Sequence, residues 1–231
     1  MTRSSVLVVL LTGLLLAGCG ASGGTPTGAG STTASSTPTP MATAAATSGG
    51  PGSTASGGVA LTMTLPSNWS VVSMNLAALQ GMVSTLGASN PQMAAMMNQL
   101  ITSGAYKQLN FFAFEYNGLM PIGNVDTSLG VAANGLSLDA AAPVLQGEIT
   151  QAGATNVTSK HVTLPVGDVL LLSYDLSVTG ASGTKISESG RAYYYEANGD
   201  LYSATFTSMS PSTTTCLADS EAIAQTLTLA P

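Results

Sequence analysis

Residues 157–207 read VTSKHVTL-PVGD-VLLLSYDLSV-TGASGT-KISESGRAYYYE-ANGD-LYSATFT, and the punctuation of this stretch decides the fold. Four runs of strand length, rich in β-branched, aromatic and aliphatic residues, are separated by clusters of turn formers. The expected strands are Val157 to Leu164, Val169 to Val178, Lys185 to Glu196 and Leu201 to Thr207. Pro165-Val166-Gly167-Asp168 makes the first turn, and Gly180 to Thr184 form a loop. Asn198-Gly199 is the strongest hairpin signal in the chain, because both residues accept the positive φ of a type I′ turn. The segment is a meander.

Upstream, the pattern changes period. Val59 to Leu65 alternates as a strand and is stopped by Pro66. After Trp69 a short Val71-Val72 run leads to a helix, with Leu76, Leu79, Val83 and Leu86 at helical spacing. Asn90-Pro91 supplies an N-cap and a first-turn proline for a second helix. Met93, Met96, Met97, Leu100 and Ile101 form its apolar stripe, and Gly104 ends it. Tyr106 to Tyr116 reads as a strand apolar on both faces, with Leu109, Phe111 and Ala113 against Phe112 and Phe114. Such a strand belongs near the middle of a covered sheet. Ile122 to Val131 is its expected neighbour, and a helix follows from Leu138 to Ala152 with Pro143 tolerated in its early part. Pro211 and a Ser/Thr cluster open a final helix through Leu227. This order predicts an α+β fold, an antiparallel β-sheet flanked by helices.

Three short stretches carry a resemblance to a known family. Leu65-Pro66-Ser67-Asn68-Trp69 is similar to an opening strand followed by Pro-x-Gly-Trp, with Asn68 where glycine is usual. Asn124-Val125 falls in the strand before the middle helix, and Leu164-Pro165-Val166-Gly167 is similar to a Leu-Pro-x-Gly turn between central strands. Together with the element order they resemble the PsbP-like superfamily, and within it the small actinobacterial lipoproteins of the LpqN type. The resemblance spans Val59 to Leu229. It implies an α/β/α sandwich and a binding or assembly module rather than an enzyme. It supplies no catalytic residue to carry over.

The N-terminus addresses location. The apolar segment Val6 to Leu16, behind Arg3, is too short to span a bilayer, which takes about 20 residues, and has the form of a signal peptide. Its end, Leu14-Leu15-Leu16-Ala17-Gly18-Cys19, resembles the lipobox of bacterial lipoproteins. That resemblance implies cleavage after Gly18, residues 1–18 being the signal peptide, and acylation of the Cys19 thiol. Acyl chains of palmitate length at Cys19 meet the need for more than one chain in stable anchoring. Gly20 to Gly58 carries no charge and is almost entirely Gly, Ser, Thr, Ala and Pro, too polar to repay ordering. Residues 19–58 are therefore expected to be a disordered tether, with an r.m.s. span of about 35 Å from roughly 5–6 Å × √n. Residues 59–231 are expected to fold as one domain, on the extracytoplasmic face of the cell membrane.

Charge narrows the partners. Only 7% of residues are charged, and without Arg3 four Lys/Arg face eleven Asp/Glu, a formal charge of −7. Lys107, Lys160, Lys185 and Arg191 are scattered singly, so no basic patch for nucleic acid is expected. The membrane is reached through the Cys19 lipid, since anionic headgroups repel an acidic domain. Lipidation of Cys19 leaves Cys216 without a disulfide partner, and its helical alignment with Ser220, Ile223 and Leu227 favours a buried thiol.

Signals for catalysis are weak. His161 is the single histidine, in a strand beside Lys160, where a solvated edge position is expected. No Gly-x-Ser-x-Gly elbow precedes a helix, zinc-ligand spacing is lacking, and the glycines fall in turns and the tether rather than in a phosphate-binding loop. Glu115 with Asp126, or Asp175 with Glu188, are the carboxylate pairs a glycosidase would need, but spacing alone does not pair them. Met74, Met82, Met93, Met96 and Met97 cluster in the two-helix segment. Thioethers suit Cu(I), yet Met93, Met96 and Met97 share a stripe with Leu100 and Ile101, the pattern of a packed core. The same residues also suit the lining of a pocket for an apolar ligand. The expectation is a non-catalytic, lipid-anchored binding or assembly module without a cofactor. Its partner would be an extracytoplasmic protein or small apolar molecule; the alternatives are a lipid carrier and an unconventional hydrolase.

Overall fold

In the computed structural model the meander is four antiparallel strands in chain order. They are β6 (Thr155–Leu164), β7 (Gly167–Thr179), β8 (Lys185–Ala197) and β9 (Asp200–Met209). The structure describes residues 52–54, 60–86, 91–117, 120–132, 136–179, 185–209 and 213–230. Cys19 and most of the expected tether lie outside them. The first turn closes on the pair Leu164–Gly167, with Gly167 at φ 120°. Asn198 and Gly199 take φ 54° and 80°, the left-handed pair whose twist matches the flanking strands.

Three more strands complete a seven-stranded antiparallel sheet: β3 (Trp69–Val72), β4 (Leu109–Asn117) and β5 (Met120–Ala132), in the order β3-β4-β5-β9-β8-β7-β6. A smaller sheet pairs β1 (Gly52–Thr54), β2 (Ala60–Met63) and β10 (Thr228–Ala230) in the order β1-β2-β10. The helices are α1 (Leu76–Leu86), α2 (Pro91–Ser103), α3 (Leu138–Gln151) and α4 (Thr213–Ala224). The class is α+β with antiparallel sheets.

Alternation along the strands sends side chains to two covered faces. On one face Phe111, Tyr193, Tyr195 and Phe206 pack with Trp69 and with Ile223 and Ala224 of α4. On the other, Leu79 of α1 and Met97 and Leu100 of α2 pack on Phe112 and Phe114. Ile149 of α3 packs on Leu170, Leu172 and Tyr194 of that same face. Ser137 caps α3, its hydroxyl accepting from the Ala140 amide at 3.3 Å.

Several expectations are corrected. The strand expected from Tyr106 begins at Leu109, because Gly104 (φ 73°) ends α2 and a single 3-10 turn covers Ala105–Gln108. Strand β4 is covered on both faces but lies second from the edge, with β3 outside it. Leu109 joins Phe112 and Phe114 rather than Phe111, because the β4–β5 register shifts between Leu109 and Phe111 and the bulge switches its face. The final helix stops at Ala224: Thr226 and Leu227 donate to the carbonyls three residues back, Ile223 (2.9 Å) and Ala224 (3.1 Å). The chain then continues into β10, which hydrogen-bonds to β2. Strand β1 falls inside the stretch expected as tether; backbone pairing with β2 holds it, which an uncharged Ser/Thr run permits.

Candidate functional site

The site grows out of the edge of the meander. On edge strand β6 exposed Lys160, half-buried Val162 and buried Leu164 share one face of the sheet. Their register partners are Leu171, Val169 and Gly167, and Leu171 in turn faces Tyr193 of β8. Arg191 lies two residues before Tyr193, opposite Ser173. Helix α4 packs on the same face, and Glu221 within it and Gln225 just after its end also line the recess. The result is a cavity of about 100 Å³ with Val162, Leu164 and Leu171 as its aliphatic floor and Lys160, Arg191 and Glu221 among its charged lining.

Arg191 is held in place by α4. Its Nη1 donates to the Leu217 carbonyl oxygen (2.8 Å) and to Ser220 Oγ (3.2 Å), while the Ser220 hydroxyl donates to that same carbonyl at 2.6 Å. The buried Tyr193 hydroxyl sits beside these groups; burial raises its pKa, and Ser220 and Arg191 pull it the other way. Among the described residues neither Lys160 nor Arg191 forms an ion pair.

The residues singled out from sequence lie elsewhere. Met97 is fully buried among Leu79, Leu100, Phe112 and Phe114, and the side chains of Met93 and Met96 lie outside the described residues. So does the side chain of Cys216, in α4. Neither carboxylate pair forms. Glu115 faces Gly123 whereas Asp126 faces Phe112, three positions along β4. Asp175 faces Ser189 and Glu188 faces Leu176, so adjacent register positions turn the two carboxylates to opposite faces. Asp175 accepts hydrogen bonds from Asn156 Nδ2 (2.9 Å) and Ser189 Oγ (2.7 Å), which hold its pKa down. Glu188 is only 1% exposed, and burial pushes its pKa up to about 8.

His161 occupies the expected exposed position on β6, clamped on the face opposite Lys160. Its Nδ1 lies 2.8 Å from Asp168 Oδ2 and its Nε2 lies 3.0 Å from Asp139 Oδ1, in the first turn of α3. The hydrogen bond to Asp168, with further attraction from both carboxylates, raises its pKa above 6.5 against a smaller opposing desolvation. The folded chain thus keeps the imidazolium proton above the pH at which the unfolded chain releases it. The clamp's stabilisation is fully present below pH 6.5 and is lost as pH rises through the raised value. His161→Ala is expected to remove this component, so that the wild-type advantage in urea seen at about pH 5.5 shrinks by about pH 8.5. An equal difference at both pH values would refute the clamp.

Among the described residues no group of three or more His, Cys, Asp or Glu is placed to hold a metal ion, and no helix is long and apolar enough to cross a membrane. The pocket itself was missed in the sequence because Lys160 and Arg191 stand 31 residues apart. Strand parity with the Pro165-Val166 turn places Lys160 opposite Leu171, but the Gly180–Thr184 loop leaves the β7–β8 register open.

Among solved structures, the chain is similar to LpqN of Mycobacterium tuberculosis, whose crystal structure is that of a protein involved in cell envelope biogenesis. The identity is 9%, the TM-score 0.46, and the match covers 75% of this chain and 85% of that one. No family model and no curated protein matches the sequence.

Proposed function

We propose that this chain is a lipid-anchored, extracytoplasmic and non-catalytic binding module. Cys19 carries the acyl chains, most of residues 19–58 serve as the tether, and the folded part binds a small molecule in the pocket beneath α4. The observation that carries the reading is the pocket's make-up. Two of the four basic side chains left to the mature chain line one recess together with Val162, Leu164 and Leu171, in an otherwise acidic domain. A non-enzymatic role is supported by His161, whose ring nitrogens both face carboxylates, leaving neither to take a proton from a seryl hydroxyl or water.

Cys19→Ala is expected to move the protein from the detergent phase to the aqueous phase in a detergent partition. An unchanged partition, or a wild-type intact mass without acyl chains, overturns the anchor. Native mass spectrometry of the detergent-extracted wild type is expected to show a bound small molecule. Val162→Phe, which fills the pocket from the edge strand, is expected to lose it. Retention of that molecule by the variant overturns the assignment of the site.

A further inference from the structure

We propose that the pocket is specific for a short aliphatic monocarboxylate, held with its carboxylate between Lys160 and Arg191 and its tail on Val162, Leu164 and Leu171. The assignment rests on the pocket being the binding site proposed above. Charge supplies the first argument. In a chain with eleven acids and four remaining bases, two cations line one recess and neither is in an ion pair among the described residues. An arriving anion gains from both and loses no internal salt bridge.

Arg191 supplies the second. Its Nη1 is fixed by the Leu217 carbonyl and Ser220, so the guanidinium is oriented before a ligand arrives. A planar carboxylate matches the fork of an oriented guanidinium. Preorganisation removes ordering cost from the binding step.

Glu221 sets the valence. Two cations and one carboxylate sum to a single positive charge at the pocket. A monoanion neutralises it, whereas a dianion leaves excess negative charge inside a domain that is already acidic. Size sets the tail. A cavity of about 100 Å³ is smaller than the roughly 150 Å³ cavities that accept benzene, so a few methylenes suit it better than an aromatic ring. The aliphatic floor offers such a tail apolar contact.

The test is calorimetric titration of the mature lipoprotein in a nonionic detergent with butyrate, butan-1-ol, butylamine and inorganic phosphate. Butyrate is expected to bind about tenfold or more tightly than the alcohol, with no binding of the amine and weaker binding of phosphate. Raising the ionic strength should weaken butyrate binding and leave the alcohol unaffected. Lys160→Gln should lose about tenfold or more for butyrate but not for the alcohol, at an unchanged melting temperature. Equal affinity for butyrate and butan-1-ol, or tighter binding of phosphate, overturns the monocarboxylate assignment and leaves the binding-site reading standing. If butyrate fails while the native spectra show a ligand that Val162→Phe removes, only the carboxylate assignment falls. If no probe binds and no ligand responds to Val162→Phe, both readings fall.

Discussion

Replacing Glu188 by glutamine is expected to stabilise the folded chain at neutral pH by on the order of 2–3 kcal/mol. The side chain is 1% exposed, faces Leu176, and neither carboxylate oxygen has a hydrogen-bond partner among the described residues. An ionised carboxylate in that position has nothing to replace its hydration, so the folded state retains the proton up to a pKa of about 8. The unfolded chain releases the same proton near 4.5. Between these values the folded state holds more protons, so raising the pH favours unfolding. Stability attributable to this residue is therefore intact below pH 4.5 and declines as pH rises towards about 8. Glutamine removes the titration while keeping the volume. Glu188→Leu additionally removes two buried acceptors and should gain at least as much. Urea unfolding at about pH 5 and about pH 8 checks both variants, the wild type losing stability across that interval and the variants losing less. A wild type and Glu188→Gln that run parallel in pH would show that the carboxyl is hydrated or paired in solution.

Glu188 also marks what sequence reading reaches. Seven strands (β2 and β4 to β9) and all four helices were legible, because each rests on a local signal. Asn198-Gly199 permits one kind of hairpin, Asn90-Pro91 opens one helix, and the 2.0 and 3.6 periods separate strand from helix. What was not legible depends on pairing across long sequence distances. The short strands β3 and β10 bring little periodicity of their own; β10 exists because β2 offers an edge 166 residues away, as the side-chain contact of Thr62 with Thr228 illustrates. Leu109 changes face because of a bulge against β5, a property of the pair and not of the strand.

The candidate site was the least legible part for the same reason. Lys160, Arg191 and Glu221 belong to β6, β8 and α4, and no local pattern ties them together. The methionines announce themselves by clustering in sequence. Lys160 and Arg191 stand as isolated charges in sequence. Strand parity shows that each strand has two faces, but which residues meet requires the register of β7 against β8, and that is set by a loop whose length fixes no single turn type.

Met97→Ala is expected to cost about 2–5 kcal/mol of stability. Met97 is fully buried beside Leu79 of α1 and Leu100 of α2, above Phe112 and Phe114, whose rings meet edge to face at 4.5 Å and 81°. Truncation removes three heavy atoms from the seam between the helix pair and the sheet, and the flat rings below close only part of the gap. In a domain of this length the loss corresponds to a fall in melting temperature on the order of 10 °C. Met97→Leu keeps most of the volume and should cost less than about 1.5 kcal/mol, including any sulfur–aromatic contact. The pair of substitutions separates packing from the other uses of a methionine stripe. A pocket wall facing ligand or water would lose little on truncation to alanine, since few close-packed neighbours are left behind. A Cu(I) ligand would give a metal-dependent rise in melting temperature that the Met93, Met96 and Met97 triple change to leucine abolishes. The buried position of Met97 predicts a large alanine cost, a small leucine cost and no copper-dependent rise, and a copper-dependent rise lost in the leucine variant would overturn the packing account.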